Sequence, residues 1–149
     1  MILDSSLEYS NAQDLSQSTG TYVSTNVVDH GAANANPGLL LNAHVALWLP
    51  EAFTSGGSAT MDLQFQTATD EAFTSPVVLY STGAIGYATW NTNARTNGPF
   101  QFKLPNGILR FTRLAYVIAG ATTTAGTGTA GIILTPQANR MYPDRSSLA

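Results

Sequence analysis

Hydrophobic residues in this chain recur with a period of two. In LNAHVALWL, residues 41–49, the odd positions Leu41, Ala43, Val45, Leu47 and Leu49 are all apolar, and the even ones are Asn42, His44, Ala46 and Trp48. Successive side chains of a strand point to opposite faces, so this pattern predicts a strand with one face in a core. TMDLQFQ (60–66) alternates in the same way through Met61, Leu63 and Phe65, and FQFKL (100–104) through Phe100, Phe102 and Leu104. Weaker strands are expected at 21–28, 77–81, 109–118 and 129–135. The 109–118 run changes phase near Thr112 and Arg113, which predicts a bulge.

Between these strands lie turn-formers: HGAANANPG, TSGGS, TNARTNGP, PNG and GATTTAGTG. No long window carries a helical stripe, so no helix beyond about two turns is expected. Roughly seven short strands without helices predict an all-β domain, a β-sandwich, jelly roll or small barrel. Leu47, Leu63, Phe65, Phe102 and Ile133 are its expected core. Residues 1–20 are polar and weakly patterned and read as an N-terminal arm. Residues 21–135 read as the β-sandwich domain, and 136–149 as a C-terminal extension that leaves the last strand at a proline.

The pentapeptide EAFTS occurs twice, at 51–55 and 71–75. Its flanks differ, whereas a solenoid would repeat its core positions as well. Each copy follows an alternating strand, so both are expected to be turns. Phe53 and Phe73 would plug the sheet ends while the acid and the Ser/Thr side chains bond to backbone. If the three strands pair consecutively, the two turns lie at opposite ends of one sheet and form no common site.

A chain of 149 residues is most simply one domain. Only 10% of it is charged, against a usual ~25%. A surface so poor in charge is often one that meets other protein, which favours an assembly component. The absence of cysteine excludes disulfides and thiolate metal ligands. The start MILDSSLEYS has no basic or apolar segment, which argues against a signal peptide, and no apolar run approaches the ~18 residues of a membrane span. Synthesis in a cytoplasm and no membrane partner are expected. Residues 1–94 carry eight acids and no base; residues 95–149 carry all six bases and one acid. The halves either neutralise each other within the fold or form patches that orient partners. A lone Lys103 and scattered arginines do not make a nucleic-acid footprint.

Residues that could carry chemistry are sparse. Asp70 and Glu71 are adjacent acids, but neighbours on a turn point apart, whereas paired catalytic carboxylates share a cleft. His30 follows Asp29 without a nucleophile elbow, His44 lies on the polar side of its strand, and Lys103 points outward by alternation. GTGTAG precedes no helix, and no calcium-loop spacing occurs. No catalytic residue, metal site or cofactor is expected, so the chain is not read as an enzyme. Trp48 and Trp90 either form a sugar-stacking platform, or Trp48 packs under a loop or a neighbouring subunit and Trp90 marks a strand end.

Several stretches together resemble the capsid cement (decoration) proteins of tailed bacteriophages, of the Bordetella-phage-like short-tailed type. They are NAQDL (11–15), STNVVDHG (24–31), GGSATMDLQFQTATDEAFTSPVVLYSTGAI (56–85), RFTRLAYVI (110–118) and AGIILTPQANRMYPD (130–144). The resemblance implies a jelly-roll-like β-sandwich without enzymatic activity, on the exterior of an icosahedral head, bridging major capsid subunits. It also implies self-association as a dimer or another small homo-oligomer. Interface contacts are expected from Arg140, Met141, Tyr142 and Arg145 in the C-terminal extension, and from Trp90 and Arg95 in YATWNTNARTNG. The competing reading is a carbohydrate-binding or receptor-binding sandwich module of a phage fibre.

Overall fold

The alternating strands bury their apolar faces against one another from two sides. The structure, a computed structural model, describes residues 3–31 and 43–134. One antiparallel sheet has the order β1 (Glu8–Asp14), β10 (Thr123–Ile133), β4 (His44–Ser55), β8 (Phe100–Lys103). The facing sheet runs β2 (Gly20–Val23), β9 (Phe111–Ala119), β5 (Thr60–Ala68), β6 (Val77–Ser81). In it β3 (Val28–Asp29) also pairs with β9, and β7 (Ile85–Gly86) with β5. The chain crosses between sheets at β1–β2, β3–β4, β4–β5, β7–β8, β8–β9 and β9–β10. This is jelly-roll topology, in which no hairpin chain zips up a single sheet.

The core is where the alternation places it. Val45, Leu47 and Leu49 of β4 and Met61, Leu63 and Phe65 of β5 are fully buried, and Phe102 and Ile133 nearly so. Tyr9, Phe65 and Phe102 meet edge to face, with centroids 6.1 and 6.2 Å apart, the arrangement that ring quadrupoles favour. The phenols that reach into this core are bonded there: Tyr9 to the Thr112 hydroxyl at 2.7 Å and Tyr116 to Ser10 at 2.9 Å. Burial pushes the Tyr116 phenol up to about 12, so it stays protonated.

Several expectations are corrected. Residues 8–14, assigned to an arm, form β1 and pair with β10. Only Tyr9 supplies a large apolar side chain there, and register shifts at Ser10 and Gln13, with Ala12 at φ 47°, break the alternation. Strand β10 begins at Thr123, inside GATTTAGTG, which read as a turn. Its glycines are packing devices: a Cβ on Gly126 would come within 2.9 Å of the Phe53 ring, and one on Gly128 within 3.1 Å of Leu15.

The expected bulge in β9 is absent. Pairing with β5 runs unbroken from Thr60↔Ala119 to Ala68↔Phe111. The apparent phase change arises because Thr112 takes a core position, bonded to Tyr9 and His30, while Phe111 is buried on the opposite face. The segment from Tyr87 to Thr96 is helical, although TNARTNGP from residue 92 is expected to be a turn and Trp90 a strand end: α1 (Tyr87–Asn91) continues as a π turn, Thr92–Thr96. Trp90 and Ala94, one turn apart, are the buried side of it.

The two EAFTS segments also depart from expectation. β4 and β5 lie in different sheets, so the two copies do not bracket one three-stranded sheet. The first copy ends β4 as extended strand, and only the second is a turn.

Candidate interaction surface

The outward face of the six-stranded sheet carries an ordered polar ladder. Period two sends Asp62, Gln64, Gln66 and Ala68 of β5 to that face, beside Val117, Ala115, Arg113 and Phe111 of β9. Arg113 Nε donates to Gln66 Oε1 at 2.9 Å, Gln66 Nε2 to Gln64 Oε1 at 3.2 Å, and Gln64 Nε2 to Asp62 Oδ2 at 2.9 Å. The hydroxyls of Ser81 and Thr82 donate to Asp62 Oδ1 at 2.8 and 3.2 Å.

Below the ladder a second, small apolar cluster forms outside the core, from Ala68, Phe73 and Phe111 with Val27 against it. Two guanidiniums cover it: Arg113 lies 4.1 Å from the Phe73 ring centroid and Arg110 4.9 Å from that of Phe111. Arg110 is also paired through two points with Asp29, Nε to Oδ1 at 3.0 Å and Nη2 to Oδ2 at 2.9 Å. That pair, together with the Gly31 amide, holds the Asp29 carboxyl well below the usual range, at about 2. No sequence motif marks this surface. Its one signal was Arg113 in mid-strand, in a run that also holds Phe111, Leu114 and Ala115.

The sequence-selected residues fall elsewhere. Trp90 is fully buried, its indole donating to the Met61 carbonyl at 2.8 Å and its ring edge-on to Phe100 at 5.1 Å. A residue in the core cannot touch a partner, so Trp90 is withdrawn as a contact and as half of a sugar platform. Arg95 is exposed in the π turn. Trp48 is half-buried, outside the four-stranded sheet opposite Thr129. Arg140, Met141, Tyr142 and Arg145 lie outside the described residues.

Asp70 and His30 are engaged in structure. Asp70 accepts from the Thr74 amide at 3.0 Å and its hydroxyl at 2.9 Å, which lowers its pKa. His30 Nε2 bonds the Thr112 hydroxyl at 2.8 Å, and burial lowers its pKa despite the neighbouring Asp29. Among the described residues no three His, Asp or Glu side chains are grouped to hold a metal ion. A shallow depression lined by Gly57, Ser58, Ala59, Thr60, Gly86, Tyr87 and Ala88 contains no titratable group other than the Tyr87 phenol.

Fold and surface together define a class: a two-sheet jelly roll that carries a hydrogen-bonded polar ladder on a sheet face rather than in a cleft. The chain belongs to the Bbp16 family, whose model matches residues 9–132, and so to a Bordetella phage protein family. No curated protein matches it.

Proposed function

We propose that this chain is a capsid cement protein, which binds the outer surface of an icosahedral phage head and bridges major capsid subunits. The observation that carries this reading is the phage-family match over residues 9–132, on a jelly roll, an architecture that recurs in viral capsids. In this reading the chain is not an enzyme, uses no cofactor and binds neither nucleic acid nor membrane. It is made in the host cytoplasm, works on the virion exterior, and self-associates as a dimer or another small homo-oligomer.

The mechanism follows from mass action. Packaged DNA pushes outward on a thin shell whose weak places are the joints between subunits. A rigid sandwich that touches both sides of a joint has its full interface only on the intact shell, so binding stabilises that state. Many symmetry-related copies make modest contacts sufficient.

The C-terminal extension is the proposed contact, with Arg95 as a further exposed candidate. Once buried and hydrogen-bonded against the shell, Arg140 and Tyr142 would each be worth ~2 kcal/mol or more as anchors. Because β10 ends at Ile133, a variant ending at Gln137 retains every described strand. Purified full-length and shortened protein are added to undecorated heads, and occupancy and the temperature of head rupture are measured. Full-length protein should bind and raise the rupture temperature, and the shortened form should bind poorly. Failure of the full-length chain to bind overturns the reading; equal occupancy moves the contact away from the extension.

A further inference from the structure

Arg110 and Arg113 sit in matching settings on the outside of the six-stranded sheet, yet only one is complete. Each guanidinium lies on a phenylalanine ring. Arg110 closes a two-point pair on Asp29, and among the described residues this is the one ion pair. Arg113 instead donates Nε to the neutral carboxamide of Gln66. Burial alone acts on its pKa, lowering it, whereas Asp29 raises that of Arg110. Gln66 is 7% exposed and is tied through Gln64 to Asp62, so the ladder fixes the arginine without neutralising it.

Holding a long side chain in place beforehand removes the entropy that a partner would otherwise have to overcome. The Nε edge is occupied by Gln66, which leaves the Nη1/Nη2 edge for a two-point acceptor, the geometry that guanidinium offers a carboxylate. Val78 and Val23 border the same face, paired with Gln66 and Ala115 and 46% and 42% exposed. Such apolar margins keep water from a charged contact. A phosphate backbone is a poor fit, because Arg110 is already neutralised and no further base joins the patch.

We propose that Arg113 is the anchor for an acidic side chain on the outer surface of the phage head, with Gln66 and Phe73 as its positioning residues. This rests on the cement reading. Asp29 shows what a completed site looks like; the head supplies the equivalent carboxylate to Arg113.

The test measures binding of the full chain to undecorated heads across a salt series. Arg113→Met, which keeps the stem on Phe73, should weaken binding by about ten-fold or more and flatten its salt dependence. Arg113→Lys should fall between the two. Gln66→Glu keeps the acceptor for Arg113 Nε but loses the bond to Gln64, so its fold is checked first by circular dichroism; folded, it should bind weakly, because it gives Arg113 an internal carboxylate as Arg110 has. Arg110→Met should bind like the parent. If the parent does not bind heads, both the cement reading and the anchor fall. If the parent binds and Arg113→Met matches it in affinity and salt dependence, the anchor alone falls. Should Arg113→Met unfold, parental binding by Gln66→Glu and Arg113→Lys overturns the proposal. A change in self-association with unchanged head binding assigns the carboxylate to a second copy and overturns it too.

Discussion

The two EAFTS segments have the same five residues and opposite structures. In the first, Phe53 is extended in β4 and fully buried in the main core. Its amide donates to Asn91 Oδ1 at 2.8 Å, and its carbonyl accepts from Asn91 Nδ2 at 2.7 Å. In the second, Phe73 has φ 51° in a turn and packs into the small outer cluster. The residue before each copy decides locally. Asp70 reaches forward to the Thr74 amide and hydroxyl and closes the turn, whereas Pro50 has no side chain able to do so. Across the sheet, Gly126 leaves the space that Phe53 needs in β4. A pentapeptide is too short to carry its own fold, and tertiary partners choose between its states.

That contrast predicts unequal costs, all readable by urea denaturation. Phe53→Ala should be the most damaging, at about 4 kcal/mol, because it empties a site in the main core. Asn91→Ala should follow at about 3 kcal/mol, since it strips both backbone groups of Phe53 of their partners. Phe73→Ala should cost about 2 kcal/mol, the transfer value for a ring in a small cluster next to solvent. A Phe73 variant as costly as the Phe53 variant would break the distinction between core strand and surface turn.

The smallest effect concerns the turn alone. Asp70 has a pKa below its ordinary 3.8, so its contribution is fully present above that value and is lost as pH falls through the depressed folded value. Asp70→Asn should therefore lower the melting temperature slightly at neutral pH, and the difference from the parent should shrink in acid. A difference independent of pH would mean that the Thr74 bonds do not depend on the carboxylate's charge.

Where burial is one-sided, the strands were legible. The odd positions of β4 and β5 alternate because one face meets the core and the other does not. Strand β10 was half hidden because Leu15, Leu47 and Phe53 close over it, and only Gly126 and Gly128 leave them room. Strand β1 was hidden because its inward positions include Ser10, paired with the Tyr116 hydroxyl, where alternation expects an apolar residue. The helix at 87–96 had a signal in the spacing of Tyr87, Trp90 and Ala94, but Asn and Thr between them read as turn chemistry. Of the candidate surface, Arg113 was visible only as a base in mid-strand, at the point where the alternation changes phase. Its seat on Phe73 joins two segments forty residues apart, a proximity that only β5–β9 pairing creates.

The register shifts in the sandwich bear on how it behaves in a crowd of identical chains. Each sheet ends in an edge, and each edge is spoiled. β1 is kinked by its shifts and by Ala12, β6 carries an extra residue opposite Phe65 and Gln66, β8 is short and ends in Lys103, and β2 is four residues long. Regular, uninterrupted edges are templates on which chains stack into fibrils. In a sequence rich in threonine and poor in charge, these misfitting borders therefore guard against fibril stacking without depending on charge repulsion.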